Sequence, residues 1–163
     1  MKFNYTYRMY GRSKGRGKNT QITHDAITIK VKKIDTLKYN IIDIGSGYGE
    51  STLAISKTDS SKQVIACEKF IDGINKIAEK NFQYSINNIS IFHGNVHQLL
   101  DEYCPHNSIS EIWLLFPDPW PKKRHFKRRL INVNFFNKIR DFLKKNATIH
   151  IASDSKSYIS DIL

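Results

Sequence analysis

The fold is decided by the stretch Ile41-Ile42-Asp43-Ile44-Gly45-Ser46-Gly47-Tyr48-Gly49. Its apolar beginning is typical of a buried strand. The three glycines that follow at alternate positions supply the backbone freedom and the close ligand approach that a binding turn needs. The stretch therefore predicts a strand, a ligand-binding turn and the start of a helix, which together form the first unit of a parallel α/β sheet.

The spacing of Gly45, Gly47 and Gly49 favours one class of cofactor. A dinucleotide site reads G-x-G-x-x-G, but here the third glycine comes one residue early and Glu50 takes its place. Asp43 would repel a pyrophosphate, whereas it would attract a ligand that carries an ammonium and a sulfonium. We therefore expect S-adenosylmethionine to contact Asp43 and the three glycines, although loops of this kind also occur as plain turns.

Further apolar runs repeat this rhythm along the chain, with amphipathic helical patterns over residues 70–82 and 135–143 between some of them. The runs are Val64–Cys67, Ile89–Phe92, Ile112–Phe116 and Thr148–Ala152. We therefore expect a parallel sheet, and such sheets bind ligands beyond the carboxyl ends of their strands. The polar residues at those ends are Asp43, Glu68, Asn95, Asp118 and Asp154.

Glu68 and Asn95 are candidates for contacts to an adenosine. A carboxylate at the end of the second strand can accept two hydrogen bonds from a ribose diol, and Asn95 could bond an adenine edge. The alternatives are a surface Glu68 paired with Lys69, and an Asn95 that serves only as a turn residue.

The segment Phe116–Arg129 combines a rigid acid with a dense cationic run. Asp118 stands between two prolines that restrict its backbone, and six of the eight residues from 122 to 129 are Lys or Arg. This pattern indicates that Asp118 is presented to a group of a polyanion that the neighbouring cations hold. A structural turn cap is the alternative role for Asp118.

Charge divides the chain into three parts. Residues 1–40 hold ten basic and two acidic residues, residues 41–121 hold five and ten, and residues 122–163 hold eleven and three. We interpret residues 1–40 as a basic N-terminal arm and residues 41–163 as the cofactor-binding domain, with phosphate-binding surfaces on both flanks. A merely lysine-rich surface is the alternative.

Several classes of protein are disfavoured. No apolar run approaches the length of a membrane span, the N-terminus lacks an apolar signal core, and the histidines and cysteines show no metal-ligand spacing. We expect a cytoplasmic protein without a metal, in which Cys67 is a small buried hydrophobe.

Together with the glycine loop and Glu68, the run Phe116-Pro117-Asp118-Pro119-Trp120-Pro121-Lys122-Lys123-Arg124-His125 resembles the tRNA (guanine-N7-)-methyltransferase family. The resemblance covers about residue 8 to the C-terminus, including the basic lead-in Arg8-Met9-Tyr10-Gly11-Arg12. It implies a Rossmann-like class I methyltransferase fold with helices on both faces of the sheet. It also implies methyl transfer from S-adenosylmethionine to N7 of guanosine-46 in the tRNA variable loop.

The resemblance assigns roles to matching positions. Asp118 would serve both the cofactor site and catalysis, and Asp43, Glu68 and Asn95 would bind the cofactor. Lys122 and Asp154 match positions that contact the substrate. The cationic run itself, rather than the resemblance, adds Lys123, Arg124, Arg128 and Arg129 as expected contacts to tRNA phosphates.

The chain departs from the family pattern at its end, because family members continue with two further strands. We therefore expect an open edge at the fifth strand, where a second chain or self-association could complete the sheet. A truncated, inactive or partner-requiring RNA-binding relic stays an alternative. A methyltransferase for small molecules or proteins and a nicotinamide-dependent oxidoreductase are disfavoured by the basic flanks and the glycine spacing respectively.

Overall fold

The computed structural model describes residues 21–163, which contain one sheet of five parallel strands in the order β3-β2-β1-β4-β5. The strands are β1 Asn40–Ile44, β2 Gln63–Glu68, β3 Ile89–His93, β4 Ile109–Leu115 and β5 Leu143–Ala152. Their parallel pairing brings all five carboxyl ends to one edge of the sheet. The predicted parallel α/β architecture is confirmed.

Helices cover both faces of the sheet, so the central strands are apolar on both sides. The helices are α1 His24–Thr28, α2 Glu50–Thr58, α3 Ile71–Gln83, α4 Val96–Tyr103, α5 Val133–Ile139 and α6 Lys156–Ile162. One core contains Ile41, Val64 and residues of α1, α2 and α3. The other contains Ile42, Ile65 and residues of α4, α5 and α6. Burial on both faces explains why β1 and β2 read as continuous apolar runs.

Several element boundaries differ from the sequence prediction: β4 begins at Ile109 and β5 at Leu143, both earlier than predicted. The helical pattern over residues 135–143 ends as an α-helix at Ile139, a 3₁₀ turn follows over Arg140–Phe142, and Leu143 already pairs with Ile109 in the sheet. Strand β4 ends at Leu115, because Phe116 has a φ of 51° and turns the chain out of the sheet.

Residues 21–40 belong to the folded body, which corrects this part of the predicted basic arm. Ala26, Val31 and Ile34 are buried in the two cores. Val31 N donates to the Ile91 carbonyl at 2.8 Å, so this segment also covers part of the β3 edge. The apolar residues between the lysines explain the packing; the remainder of the predicted arm lies outside the described residues.

Both cysteines are buried and unpaired, as predicted for Cys67. Burial raises the pKa of the Cys67 thiol well above its ordinary value and that of Cys104 to about 12. No group of side chains within residues 21–163 has the composition of a metal site. None of the helices described there is both long and apolar enough to span a bilayer.

Candidate active site

The glycine turn links β1 to α2 and leaves open space above it. Gly45, Gly47 and Gly49 have φ values of 74°, 55° and 82°, which other residues adopt with strain. A Cβ on Gly49 would lie 2.4 Å from Ile77 Cγ1, whereas a Cβ on Gly45 or Gly47 would meet no atom within 4 Å. Gly49 is therefore needed for packing, while Gly45 and Gly47 border the space that a ligand could fill.

Gly73 is part of the same arrangement, and sequence analysis did not identify it. It lies in α3, where an added Cβ would come within 2.2 Å of the Gly47 carbonyl oxygen. Because Gly73 has no side chain, the backbone of α3 can pack directly against the glycine turn. A glycine within an otherwise amphipathic helix is the signal that could have revealed this contact.

Glu68 ties the end of β2 to the glycine turn. Its Oε2 accepts a hydrogen bond from Gly47 N at 2.9 Å, and its Oε1 accepts from Lys69 N at 2.7 Å and from Phe70 N at 2.9 Å. These three bonds use most of the acceptor capacity of one carboxylate. Glu68 therefore fixes the shape of the turn, and the predicted alternative of a simple pair with the Lys69 side chain does not describe its contacts.

Asp43 lies beneath the turn rather than at its surface. Its side chain is buried, and Oδ2 accepts hydrogen bonds from Ser51 Oγ at 2.6 Å and Thr52 Oγ1 at 2.7 Å. Burial raises the pKa of the Asp43 carboxyl, and the two hydroxyl donors oppose that shift. In this structure Asp43 thus holds the start of α2 against β1.

Asn95 lies at the end of β3, where it caps α4. Its Oδ1 accepts from His97 N at 2.9 Å, which leaves the side-chain amide nitrogen as the donor for a ligand. His97 follows it into the same cavity and packs edge-on against Phe135. Burial lowers the pKa of His97, and the nearby Lys138 acts in the same direction.

The loop that carries Asp118 is held at both ends. Phe116 N donates to the Ala152 carbonyl at 2.8 Å, and the Pro119 carbonyl accepts from Arg129 Nε at 2.8 Å. Phe116 and Trp120 both have positive φ values, 51° and 44°, a strained conformation that tends to cluster at functional sites. Asp118, exposed between these fixed points, is thus displayed by a stiff loop.

Arg129 is a structural residue, which corrects its predicted role in phosphate binding. Its side chain is only 3% exposed. Four of its five N–H groups are bonded inside the protein, to the carbonyls of Pro119 and Ser157, to Ser157 Oγ and to Asp161. Its guanidinium also lies over the rings of Phe126 and Tyr158. Those contacts leave Arg129 with almost no exposed surface for tRNA, although it borders the cavity.

These elements enclose a cavity of about 810 Å³ at the carboxyl edge of the sheet. Its walls include the predicted site residues Gly45, Glu68, Asn95, Asp118, Arg128 and Arg129. They do not include the predicted residues Asp43, Gly47, Gly49, Lys122, Lys123, Arg124 and Asp154. Of the latter, the three cations of residues 122–124 and Asp154 are exposed at the surface.

Comparisons with known proteins identify the family. A family model described as "Putative methyltransferase" matches residues 38–163. A tRNA (guanine-N(7)-)-methyltransferase of Neorickettsia sennetsu is 30% identical over 158 residues, which cover 95% of this chain and 72% of that protein. The chain belongs to the tRNA (guanine-N(7)-)-methyltransferase family. The resemblance found in the sequence is thereby confirmed.

Two further members of this methyltransferase family differ in how much of their length is matched. Those of Nitrosomonas europaea and Corynebacterium diphtheriae are 37% and 35% identical to this chain. The matches cover 76% and 72% of this chain but 55% and 46% of those proteins. The chain thus spans about half the length of these two relatives.

Solved structures support the fold of this family member. A precorrin-6y C5,15-methyltransferase of Geobacter metallireducens superposes with a TM-score of 0.57 over 83% of this chain and 63% of that one, at 10% identity. An rRNA methylase of Streptococcus thermophilus gives 0.53 over 83% and 72%, at 17% identity. These likenesses confirm the class I methyltransferase fold.

The contact between α3 and the glycine turn gives a first prediction. Gly73→Ala should lower the free energy of unfolding by about 1–3 kcal/mol, because the new methyl group overlaps the Gly47 carbonyl. Urea unfolding would measure this loss. The control is Lys76→Ala, an exposed change in the same helix. An unfolding midpoint for Gly73→Ala equal to that of the control would show that α3 does not press on the turn.

Proposed function

We propose that this protein transfers a methyl group from S-adenosylmethionine to N7 of a guanosine in tRNA, guanosine-46 of the variable loop. The observation that carries the proposal is the shared cavity: Glu68 and Gly45 line it from one side and the stiff loop of Asp118 from the other. The names of the family relatives specify methylation of tRNA at guanine N7, and they support that choice of substrate; position 46 is part of the proposal. Two buried, unpaired cysteines fit a reducing compartment such as the cytoplasm.

The residues present fit the proposed donor. Gly45 and Gly47 face open space where a Cβ would otherwise stand, so the donor can approach the backbone closely. Glu68 already accepts three hydrogen bonds, so it can accept about one more, from a ribose hydroxyl. The amide nitrogen of Asn95 can donate to a ring nitrogen of adenine.

The chemistry asks for alignment rather than proton removal. When bound, the donor supplies an electrophilic methyl carbon on a sulfonium. Guanine N7 has a free lone pair at neutral pH, so no general base is needed for its attack. The C–S bond breaks as the N–C bond forms, and the positive charge passes from sulfur to the purine.

Asp118 suits this task because its position is fixed and its carboxylate is exposed. It would accept hydrogen bonds from the donor edge of guanine, which orients N7 toward the methyl carbon. Its negative charge would also stabilise the cation that develops on the purine. A rigid loop avoids the reorganisation that a mobile carboxylate would require.

Binding of tRNA would use the exposed cations next to this loop. Lys122, Lys123 and Arg124 lie outside the cavity, at the start of the 3₁₀ helix Lys123–Arg128. Arg128 borders the cavity and packs over Trp120, with 4.9 Å between the guanidinium carbon and the ring centroid. We keep Asp154 as a proposed tRNA contact, although it lies outside the cavity.

Asp118→Ala should reduce kcat for tRNA methylation by at least about 100-fold, because the variant loses guanine orientation and charge stabilisation. The affinity for S-adenosylhomocysteine, measured by calorimetry, should stay within about twofold of the wild-type value. Glu79→Ala, an exposed carboxylate change in α3, is the control. A near wild-type rate would remove Asp118 from the mechanism. A wild-type protein that binds tRNA without methylating it would favour the RNA-binding relic instead.

Replacement of both Lys122 and Lys123 by Met should weaken tRNA binding and flatten its dependence on salt, because each lost phosphate contact releases about one ion fewer. The matched control replaces Lys144 and Lys145 by Met; these two residues lie in the first half of β5, away from the carboxyl edge of the sheet. Filter binding across a salt series measures the slopes. Equal slopes for the two double variants would assign residues 122 and 123 to solubility alone.

We also propose that the outer edge of β5 accepts another strand, from a second copy or a second chain. Within residues 21–163, β5 pairs only with β4. Lys144 and Lys145 blunt the first half of this edge, but residues 148–152 carry no Lys, Arg, Asp or Glu.

Light scattering and native mass spectrometry test whether the β5 edge pairs with another chain. A mass above the 18.9 kDa of one chain is expected at micromolar concentration, because an unpaired strand edge favours association. A single-chain mass at every concentration, with no second chain co-purifying from the source cells, would contradict this part of the proposal.

A further inference from the structure

Lys69 occupies a position in the cavity to which sequence analysis gave no function. It follows Glu68 at the end of β2 and is one of the residues that line the cavity. Its backbone is held from two sides: Lys69 N donates to Glu68 Oε1 at 2.7 Å, and its carbonyl lies 3.0 Å from His93 Nε2. The origin of the side chain is therefore fixed as firmly as that of Glu68.

The charge of the Lys69 ammonium is only partly compensated by its surroundings. Burial lowers the pKa of Lys69, while the negative charges of Asp118 and Glu68 act in the opposite direction. Glu68 is engaged by three backbone N–H groups, and within residues 21–163 the Lys69 ammonium forms no ion pair. A half-buried ammonium without a close counter-ion is costly, and an anion of a bound ligand would relieve that cost.

Two further cations line the same cavity. Lys127 and Arg128 line it from the 3₁₀ helix, beside Trp120. An oxyanion in this cavity would thus meet cations from the end of β2 and from this helix. Asp118, the acid on this side, would face the reacting base rather than the anion.

We propose that Lys69 is an oxyanion-binding residue of this cavity. Its ammonium binds either the carboxylate of the methyl donor or a phosphate of the RNA strand that carries the target guanosine. The inference rests on the proposed function, because that function brings both oxyanions into the cavity.

The test compares Lys69→Met, Lys69→Arg and the control Lys76→Met, an exposed lysine of α3. Calorimetry with S-adenosylhomocysteine reports on the carboxylate, and tRNA binding across a salt series reports on the phosphate. Lys69→Met should lower the affinity for one of the two ligands about tenfold, and Lys69→Arg should retain most of the wild-type affinity. The ligand whose affinity falls identifies the source of the oxyanion. Urea unfolding checks that each variant is folded.

The pH profile separates a charge contact from a structural role. For the ligand that Lys69→Met binds less tightly, the affinity of the wild-type protein should fall as the pH rises and the Lys69 ammonium loses its proton. That fall should occur below pH 10.5, the ordinary pKa of lysine, because burial lowers the pKa of Lys69. Lys69→Arg, which stays protonated, should not show that fall. If Lys69→Met binds both ligands as tightly as an active wild-type enzyme, the inference is wrong and the proposed function stands. If the wild-type protein binds neither ligand, both are wrong.

Discussion

The site depends on one buried cation, Arg129. Burial of a guanidinium is tolerable only when its donors are satisfied, and here Pro119, Ser157 and Asp161 supply the acceptors. Because those acceptors belong to the Asp118 loop and to α6, one side chain joins the loop after β4 to the helix after β5. The Asp118 loop is therefore held in place through contacts to Ser157 and Asp161, which lie far beyond it in the sequence.

A second set of constraints shapes the other wall of the cavity. Glu68 bonds to Gly47 across the carboxyl ends of β2 and β1, and Gly73 lets α3 approach the same turn. The glycine turn is thus held by a carboxylate on one side and by a helix backbone on the other. The cavity is preformed by these contacts, which lowers the cost of ordering it around a ligand.

The sequence was sufficient for the features that depend on local pattern. Continuous apolar runs predict buried parallel strands, and a polar residue after each run predicts which side chains reach the common edge. The sequence did not predict that Arg129 is buried, because nothing in the pattern distinguishes it from the other five cations of the run. Its contacts with Asp161 and Tyr158, which are distant in sequence, account for its burial. For Asp43, only the packed structure shows that Ser51 and Thr52 donate hydrogen bonds to its carboxylate, so its cofactor contact stays a prediction.

The two cysteines have a practical consequence. Cys67 and Cys104 are enclosed in one of the cores, and burial keeps both thiols protonated at neutral pH. Alkylating reagents attack the thiolate, so the folded chain should remain unlabelled by maleimides. A cysteine introduced at an exposed position near the Asp118 loop would then be a unique attachment point for a fluorophore, without prior removal of the native pair.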